Sequence, residues 1–156
     1  MNQQGPPPTG NAGRSPRQRN SVKITSPQSV ATLAEFHKIL ETGKPVVVSF
    51  SGTWCDPCRM MEQVFEMLAE ENPQVTFVKV DVDVNNETSV KYGIQTIPTF
   101  KIFLGGEEYD TYTGGNEQAL RKMVNEQALH GLERVWRDEQ QLQQSPVSAA
   151  ALKRAL

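Results

Sequence analysis

The order of apolar segments along the chain predicts an α/β fold, a central mixed β-sheet flanked by helices on both faces. Short runs rich in Val, Ile and Phe, at 46–50, 75–80 and 98–103, alternate with segments whose apolar residues recur at helical spacing. The 98–103 run is followed by Gly105-Gly106 and a further strand-like stretch, Glu107 to Tyr112, which marks an antiparallel hairpin at one edge of the sheet. The only two cysteines, Cys55 and Cys58, fall where the 46–50 run gives way to a helical pattern.

Taken in order, Val22-Lys23-Ile24-Thr25 alternates and reads as a short strand. Ser26-Pro27 or Ser29 then starts a helix carrying Val30, Leu33, Phe36, Ile39 and Leu40, which ends near Gly43. His37 on this helix reads as a surface or boundary residue. Val46-Val47-Val48-Ser49-Phe50 is a buried strand. The helix after the cysteines carries Met60, Met61, Val64, Phe65, Met67 and Leu68 as far as about Glu71, where Asn72-Pro73 breaks it. Val75 to Val80 is a strand, residues 86–92 a short helix, and 98–103 with 107–112 the hairpin. Gly114-Gly115 leads into a last helix from about 116 to 129. The order β-α-β-α-β-α-β-β-α places helices on both faces of one sheet.

The chain has 156 residues, enough for one ordinary domain with a real core, and a formal net charge of −2, which gives no reason to expect nucleic-acid binding. No apolar run is long enough to span a membrane, and the first twenty residues lack the apolar core of a secretory signal. Residues 1–21 are a different material, dominated by Gly, Pro, Asn, Gln, Ser and Arg. They read as a disordered, solvated tail, because they cannot bury enough surface to offset their ordering entropy. Arg14, Arg17, Arg19 and Lys23 precede the first acidic residue, Glu35; residues 1–34 therefore carry +4 and the remainder −6. An Arg-rich, acid-poor start also fits a mitochondrial transit peptide, but Pro6-Pro7-Pro8 and several glycines oppose an amphipathic helix.

The chemistry centres on Trp54-Cys55-Asp56-Pro57-Cys58. Pro57 suits a first helical turn, where its missing N–H leaves nothing unpaired. Cys55 is therefore expected at a helix N-terminus, whose free N–H groups and dipole favour a negative charge and lower a thiol pKa. The thiolate is the form that attacks disulfides. Cys58, one turn later, lies on the same face and can close a bridge. A purely structural disulfide is the weaker reading, because a bridge spanning two residues constrains little of the unfolded chain. Zinc is weaker still. One C-x-x-C supplies two ligands, and His37 and His130 lack finger spacing.

Five stretches follow one another in an order and spacing that resemble the thioredoxin family. They are Trp54 to Arg59, Val78-Lys79-Val80-Asp81-Val82-Asp83, Tyr92-Gly93-Ile94, Thr96-Ile97-Pro98-Thr99-Phe100 and Gly105-Gly106-Glu107. The resemblance covers about residues 22–129 and implies the thioredoxin fold for that span. It implies a protein disulfide reductase in which Cys55 is the exposed nucleophile, Cys58 the resolving cysteine, and the redox-active disulfide Cys55–Cys58 the only redox group, with no bound cofactor and no metal. It also implies a cis Ile97–Pro98 bond and a shallow substrate groove made by Trp54, Thr96, Ile97, Pro98 and Gly114. The partners it implies are disulfide-containing protein substrates and an upstream reductase or dithiol, with a cytoplasmic location and a mitochondrial one as the alternative.

Three positions depart from the family's pattern. Asp56 stands where a glycine is usual, and its carboxylate beside Cys55 is expected to raise that thiol's pKa relative to glycine; its plainer reading is a helix cap. Ser49 stands at the position of the family's buried aspartate, so Lys79, the lysine that accompanies it, is expected to lack its partner, and resolution by Cys58 to be slower. Ser51 stands where an aromatic residue is common. Asp56, Pro57, Ser49 and Lys79 are thus the expected tuning residues. Residues 130–156 form a C-terminal extension, partly helical. Gly131 is expected to interrupt the last helix, and Leu132, Val135, Trp136 and Leu142 to make a stripe that docks on the parent domain or, exposed, serves self-association. Ser145-Pro146 separates off 149–156. The competing functional reading is a thioredoxin-fold binding or adaptor module with incidental redox activity.

Overall fold

The structure, a computed structural model, describes residues 26–144. Its elements are β1 (Gln28–Ser29), α1 (Leu33–Leu40), β2 (Val46–Ser51), α2 (Asp56–Glu71), β3 (Thr76–Asp81), α3 (Asn86–Lys91), β4 (Thr99–Leu104), β5 (Glu107–Thr113), α4 (Glu117–Met123), a π-helical turn (Val124–Ala128) and α5 (Leu129–Gln143). The five strands form one sheet in the order β1-β3-β2-β4-β5. β1, β3 and β2 run parallel, whereas β4 is antiparallel to both β2 and β5. This is the expected mixed sheet with an antiparallel edge. Gly105 and Gly106, both with positive φ (60° and 82°), make the two-residue hairpin turn that only glycine adopts without strain.

The period-2 alternation of the strands sorts their side chains between two cores. Val47, Phe77, Phe100 and Ile102 face α2 and the α4 end of the chain, where they meet Met61, Phe65, Leu68 and Leu120. Val46, Val48, Phe50, Val78 and Val80 point the other way and are covered by Phe36 and Leu40 of α1 with Tyr92 and Ile94. Phe36, Tyr92 and Phe103 meet edge-to-face with centroids 5.2–5.4 Å apart, the geometry aromatic quadrupoles prefer. Buried on both faces, β2 is apolar at Val46, Val47, Val48 and Phe50 rather than alternating apolar with polar residues.

One expectation about element ends is corrected, and another falls outside the described residues. The strand at 22–25, like the tail 1–21 and residues 145–156, lies outside the described residues. Within them the first strand is Gln28–Ser29, paired with Val78 and Lys79, so α1 cannot begin at Ser26 or Ser29. It begins after Thr32, whose hydroxyl accepts the Glu35 N–H (3.1 Å) while Glu35 reaches back to the Ala31 N–H (2.9 Å). Such a reciprocal arrangement satisfies two otherwise unpaired donors and outweighs the Ser-Pro signal upstream. Gly43, with φ 70°, follows the end of α1 as expected.

Gly131 does not interrupt the last helix. The backbone passes through the π-helical turn into α5 without a break, and Gly131 is buried inside α5. A Cβ there would lie 2.3 Å from Leu104 Cδ2, so this glycine lets the helix approach the end of β4. Leu132 packs beside it against the core, but Trp136 and Leu142 stay 61% and 70% exposed.

In a free helix interior Gly→Ala stabilises by about 1 kcal/mol. Gly131→Ala is expected to give no such gain, since Leu104 must leave its place, and Gly131→Leu to lower Tm. A thermal melt in which Gly131→Ala raised Tm by about 4 °C or more would show that α5 does not press on Leu104.

Candidate active site

β2 delivers the chain to the site. After Ser51 the Cys55 N–H bonds the Gly52 carbonyl (3.3 Å), and α2 starts at Asp56. Cys55 is itself the N-cap of α2. Its backbone is extended (φ −97°, ψ 112°), and its sulfur accepts the Cys58 N–H at 3.2 Å. The capping expectation for Asp56 is thereby corrected: it is the first helical residue, with Pro57 second, where a missing N–H costs nothing. Cys55 and Cys58 are joined as a disulfide with Cα atoms 5.2 Å apart.

The expected contrast of an exposed Cys55 and a shielded Cys58 is not seen in this oxidised state. They are 6% and 5% exposed. They differ instead in what they face. Cys55 borders a cavity of about 610 Å³ shared with Trp54, Asp56, Pro57, Asp83, Thr96 and Ile97. Cys58 borders a recess of about 840 Å³ on the other side, shared with Arg59, Glu62, Lys79 and Asp81.

Of the expected groove residues, Trp54, Thr96 and Ile97 come together on the Cys55 side. Trp54 is 66% exposed and is anchored by its indole N–H to Asp83 Oδ2 at 2.7 Å, a contact the sequence reading missed. The Ile97–Pro98 peptide is cis. Pro98 and Gly114 do not line that cavity. They are tied to each other, the Gly114 N–H donating to the Pro98 carbonyl at 3.1 Å. Gly114 has φ 141°, and a Cβ there would sit 2.9 Å from Tyr112 Oη, so both backbone and space require glycine.

The tuning residues divide between the two sides. The Asp56 side chain is 92% exposed, 3.8 Å from Arg59 Nη1, and Arg59 is in turn held by the Thr53 carbonyl. Ser49 is buried on β2, directly across from Lys79 in the β2–β3 register. Lys79 is not without a partner: its ammonium bonds Glu62 (2.5 Å) and Glu66 (3.3 Å), successive turns of α2. Burial alone would push the Lys79 pKa down; hydrogen bonds and charge from the two glutamates outweigh it and hold the pKa above the ordinary lysine value. The sequence carried only the helix side of this pairing. Glu62 follows Cys58 by four residues and Glu66 follows Glu62 by four, so all three share one helix face.

The family model for thioredoxin matches residues 28–126. This chain belongs to the thioredoxin family. Thioredoxin 1 of Plasmodium falciparum is 35% identical over 107 residues, 69% of this chain and 98% of that protein. Thioredoxin H2-1 of Oryza sativa subsp. japonica is 38% identical over 104 residues, 67% of this chain and 74% of its own length. Among solved structures, the thioredoxin of Malassezia sympodialis superposes with a TM-score of 0.64 at 32% identity, covering 67% of this chain and 92% of that one. With a thioredoxin fold and the Cys55–Cys58 pair at its active-site spacing, the protein is a thiol–disulfide oxidoreductase acting on disulfide-containing substrates. The adaptor reading is not favoured.

The Lys79 ion pairs give a pH signature. A lysine whose pKa is raised on folding contributes stability that is complete below its unfolded value, about 10.4, and is lost as pH rises through the folded one. Lys79→Gln is therefore expected to lower Tm by a constant amount from pH 7 to about 10 and by progressively less above it. Melts across pH 7–11 check this. A Tm difference that stayed constant to pH 11 would remove the ion pairs as its cause.

Proposed function

We propose that this protein reduces substrate disulfides with Cys55 as the attacking thiolate and Cys58 as the resolving thiol. One observation carries the assignment: the Cys55 sulfur caps the N-terminus of the 16-residue α2, receives the Cys58 N–H, and opens on the groove side. A negative sulfur there gains from the helix dipole and the free N–H groups of the first turn. Cys55 thiolate attacks one substrate sulfur, breaking the substrate S–S bond and forming a mixed disulfide. Cys58, as thiolate, then attacks Cys55 Sγ, and the reduced substrate leaves. The pair ends as the Cys55–Cys58 disulfide, which an upstream reductase or dithiol must reduce again. This cycle fits a reducing compartment, for which the cytoplasm is our reading.

The substrate chain lies extended in the groove. Exposed Thr96 and half-buried Ile97 offer backbone groups to it, in the manner of an added strand, and Trp54 supplies an apolar wall held by Asp83. Pro98 and Gly114 hold the end of that segment through their mutual hydrogen bond.

In an insulin-reduction assay the wild type is expected to turn over, Cys55→Ser to be inactive, and Cys58→Ser to trap substrate on Cys55. Mass spectrometry locating the adduct on residue 58 in the reciprocal variant alone would reverse the roles.

Asp56 acts on the same sulfur from outside. Its carboxylate disfavours the thiolate, but full solvation and the neighbouring Arg59 screen it. Asp56→Gly is expected to lower the Cys55 pKa slightly and to make the reduction potential less negative, by less than about 30 mV. Thiolate absorbance against pH and a redox titration measure both. An increase in pKa would rule the electrostatic account out.

A further inference from the structure

Resting on the reductase reading above, the second step raises a question of proton bookkeeping. Cys58 must lose a proton before it attacks Cys55, and it is buried. Unlike Cys55 it does not cap the helix; it lies inside the first turn of α2. Ser49, the buried polar residue of β2 on the face toward α2, is a hydroxyl and cannot accept a thiol proton near neutrality. Some other group has to take it.

The titratable groups around the recess that Cys58 borders are Glu35 of α1, Arg59 and Glu62 of α2, and Lys79 and Asp81 of β3; Glu66 lies beyond Lys79. Arg59 and Lys79 are cations and cannot accept. Glu35 is committed to the Ala31 N–H at the start of α1. Asp81 accepts the N–H groups of Asp83 (2.8 Å) and Val84 (3.3 Å) in the turn after β3. Glu62 makes no backbone bond of that kind. It sits four residues after Cys58, so the two side chains rise from the same face of α2 with Cβ atoms about 5–6 Å apart. Its Oε1 is fixed by Lys79, which stands beside Ser49 in the sheet. The recess, at about 840 Å³, has room for water between the carboxylate and the sulfur.

We infer that Glu62, oriented by Lys79, accepts the Cys58 proton through water in this recess when the mixed disulfide is resolved. The proton passes from Cys58 Sγ to water and from water to the Glu62 carboxylate. The Cys58 thiolate then donates an electron pair to Cys55 Sγ. The Cys55–Cys58 bond forms, the bond from Cys55 to the substrate sulfur breaks, and the substrate leaves as a thiolate that solvent protonates. Cys58 and Cys55 are oxidised together by two electrons, and the substrate disulfide is reduced by two. Glu62 returns its proton to bulk water, which its half-exposed side chain contacts. Lys79 is a positioning residue in this scheme: it holds the carboxylate and takes no part in bond making.

The test uses the full reduced chain and Ellman's reagent, which separates the two steps. The first nitrothiolate is released by attack of one cysteine, the second by resolution. In stopped flow near pH 7, Glu62→Gln is expected to slow the second release about 10-fold or more, and to slow it far more than the first. The gap should close as pH rises and Cys58 ionises unaided. Glu66→Gln removes the other ion pair of Lys79 but lies off the recess, and it should keep the wild-type second phase at every pH. Equal slowing by Glu62→Gln and Glu66→Gln, slowing of both releases in proportion, or a Glu62→Gln deficit that does not vary with pH would each overturn the assignment in favour of a structural role. A wild type that releases no second nitrothiolate would instead contradict the reductase cycle itself, so the two failures are distinguishable.

Discussion

The site depends on one constraint: β2 ends and α2 begins within five residues, with a sulfur as the helix cap. Everything that fixes α2 therefore fixes the electrostatics of Cys55. Met61, Val64, Phe65 and Leu68 are buried against the sheet, and each such side chain contributes about 1.5–3 kcal/mol by leaving water. That sum exceeds what the 3.2 Å bond from the Cys58 N–H to the Cys55 sulfur can contribute alone, about 0.5–1.5 kcal/mol. The hydrogen bond tunes a geometry that the core imposes. The helix terminus points at Cys55 because its apolar face has only one place to go.

The disulfide also separates two environments. On the Cys55 side lie the apolar and backbone-rich surfaces of Trp54, Thr96 and Ile97, suited to meeting another chain. On the Cys58 side lie Glu62, Lys79 and Asp81, suited to handling protons. The exposure of the two sulfurs is nearly equal, so solvent access does not separate their tasks. The separation comes from α2, which puts residues 55 and 58 on either side of its first turn, and from the parallel strands β2 and β3, which bring Lys79 beneath it.

Legibility in the sequence followed the range of the interaction. Elements whose formation rests on local periodicity were readable: the β2 and β3 runs, the amphipathic face of α2, and the Gly105-Gly106 turn. The cysteine pair was readable because its spacing and its helix-start position are both local. The start of α1 was misjudged although its signal, Thr32 and Glu35 three apart, is also local; a serine before a proline competed with it. The reading of Gly131 as a helix breaker failed for a different reason. A glycine in a helix is costly by propensity alone, and the compensating contact, Leu104, lies 27 positions away on β4.

Sequence alone determined that this chain alternates strands and helices, carries one C-x-x-C at a helix start, and belongs with the thioredoxins. The first two are encoded in residues within a few positions of one another, and the third in the order of short motifs along the chain. Tertiary structure decided which partners the charged residues find. Lys79 looked orphaned because the position across from it holds serine, yet α2 crosses the sheet so that Glu62 and Glu66 reach it. Trp54 is held by Asp83, 29 residues on. Pairings of this kind depend on where separate elements meet, and a linear pattern carries the faces of each element but not the angle at which two faces come together.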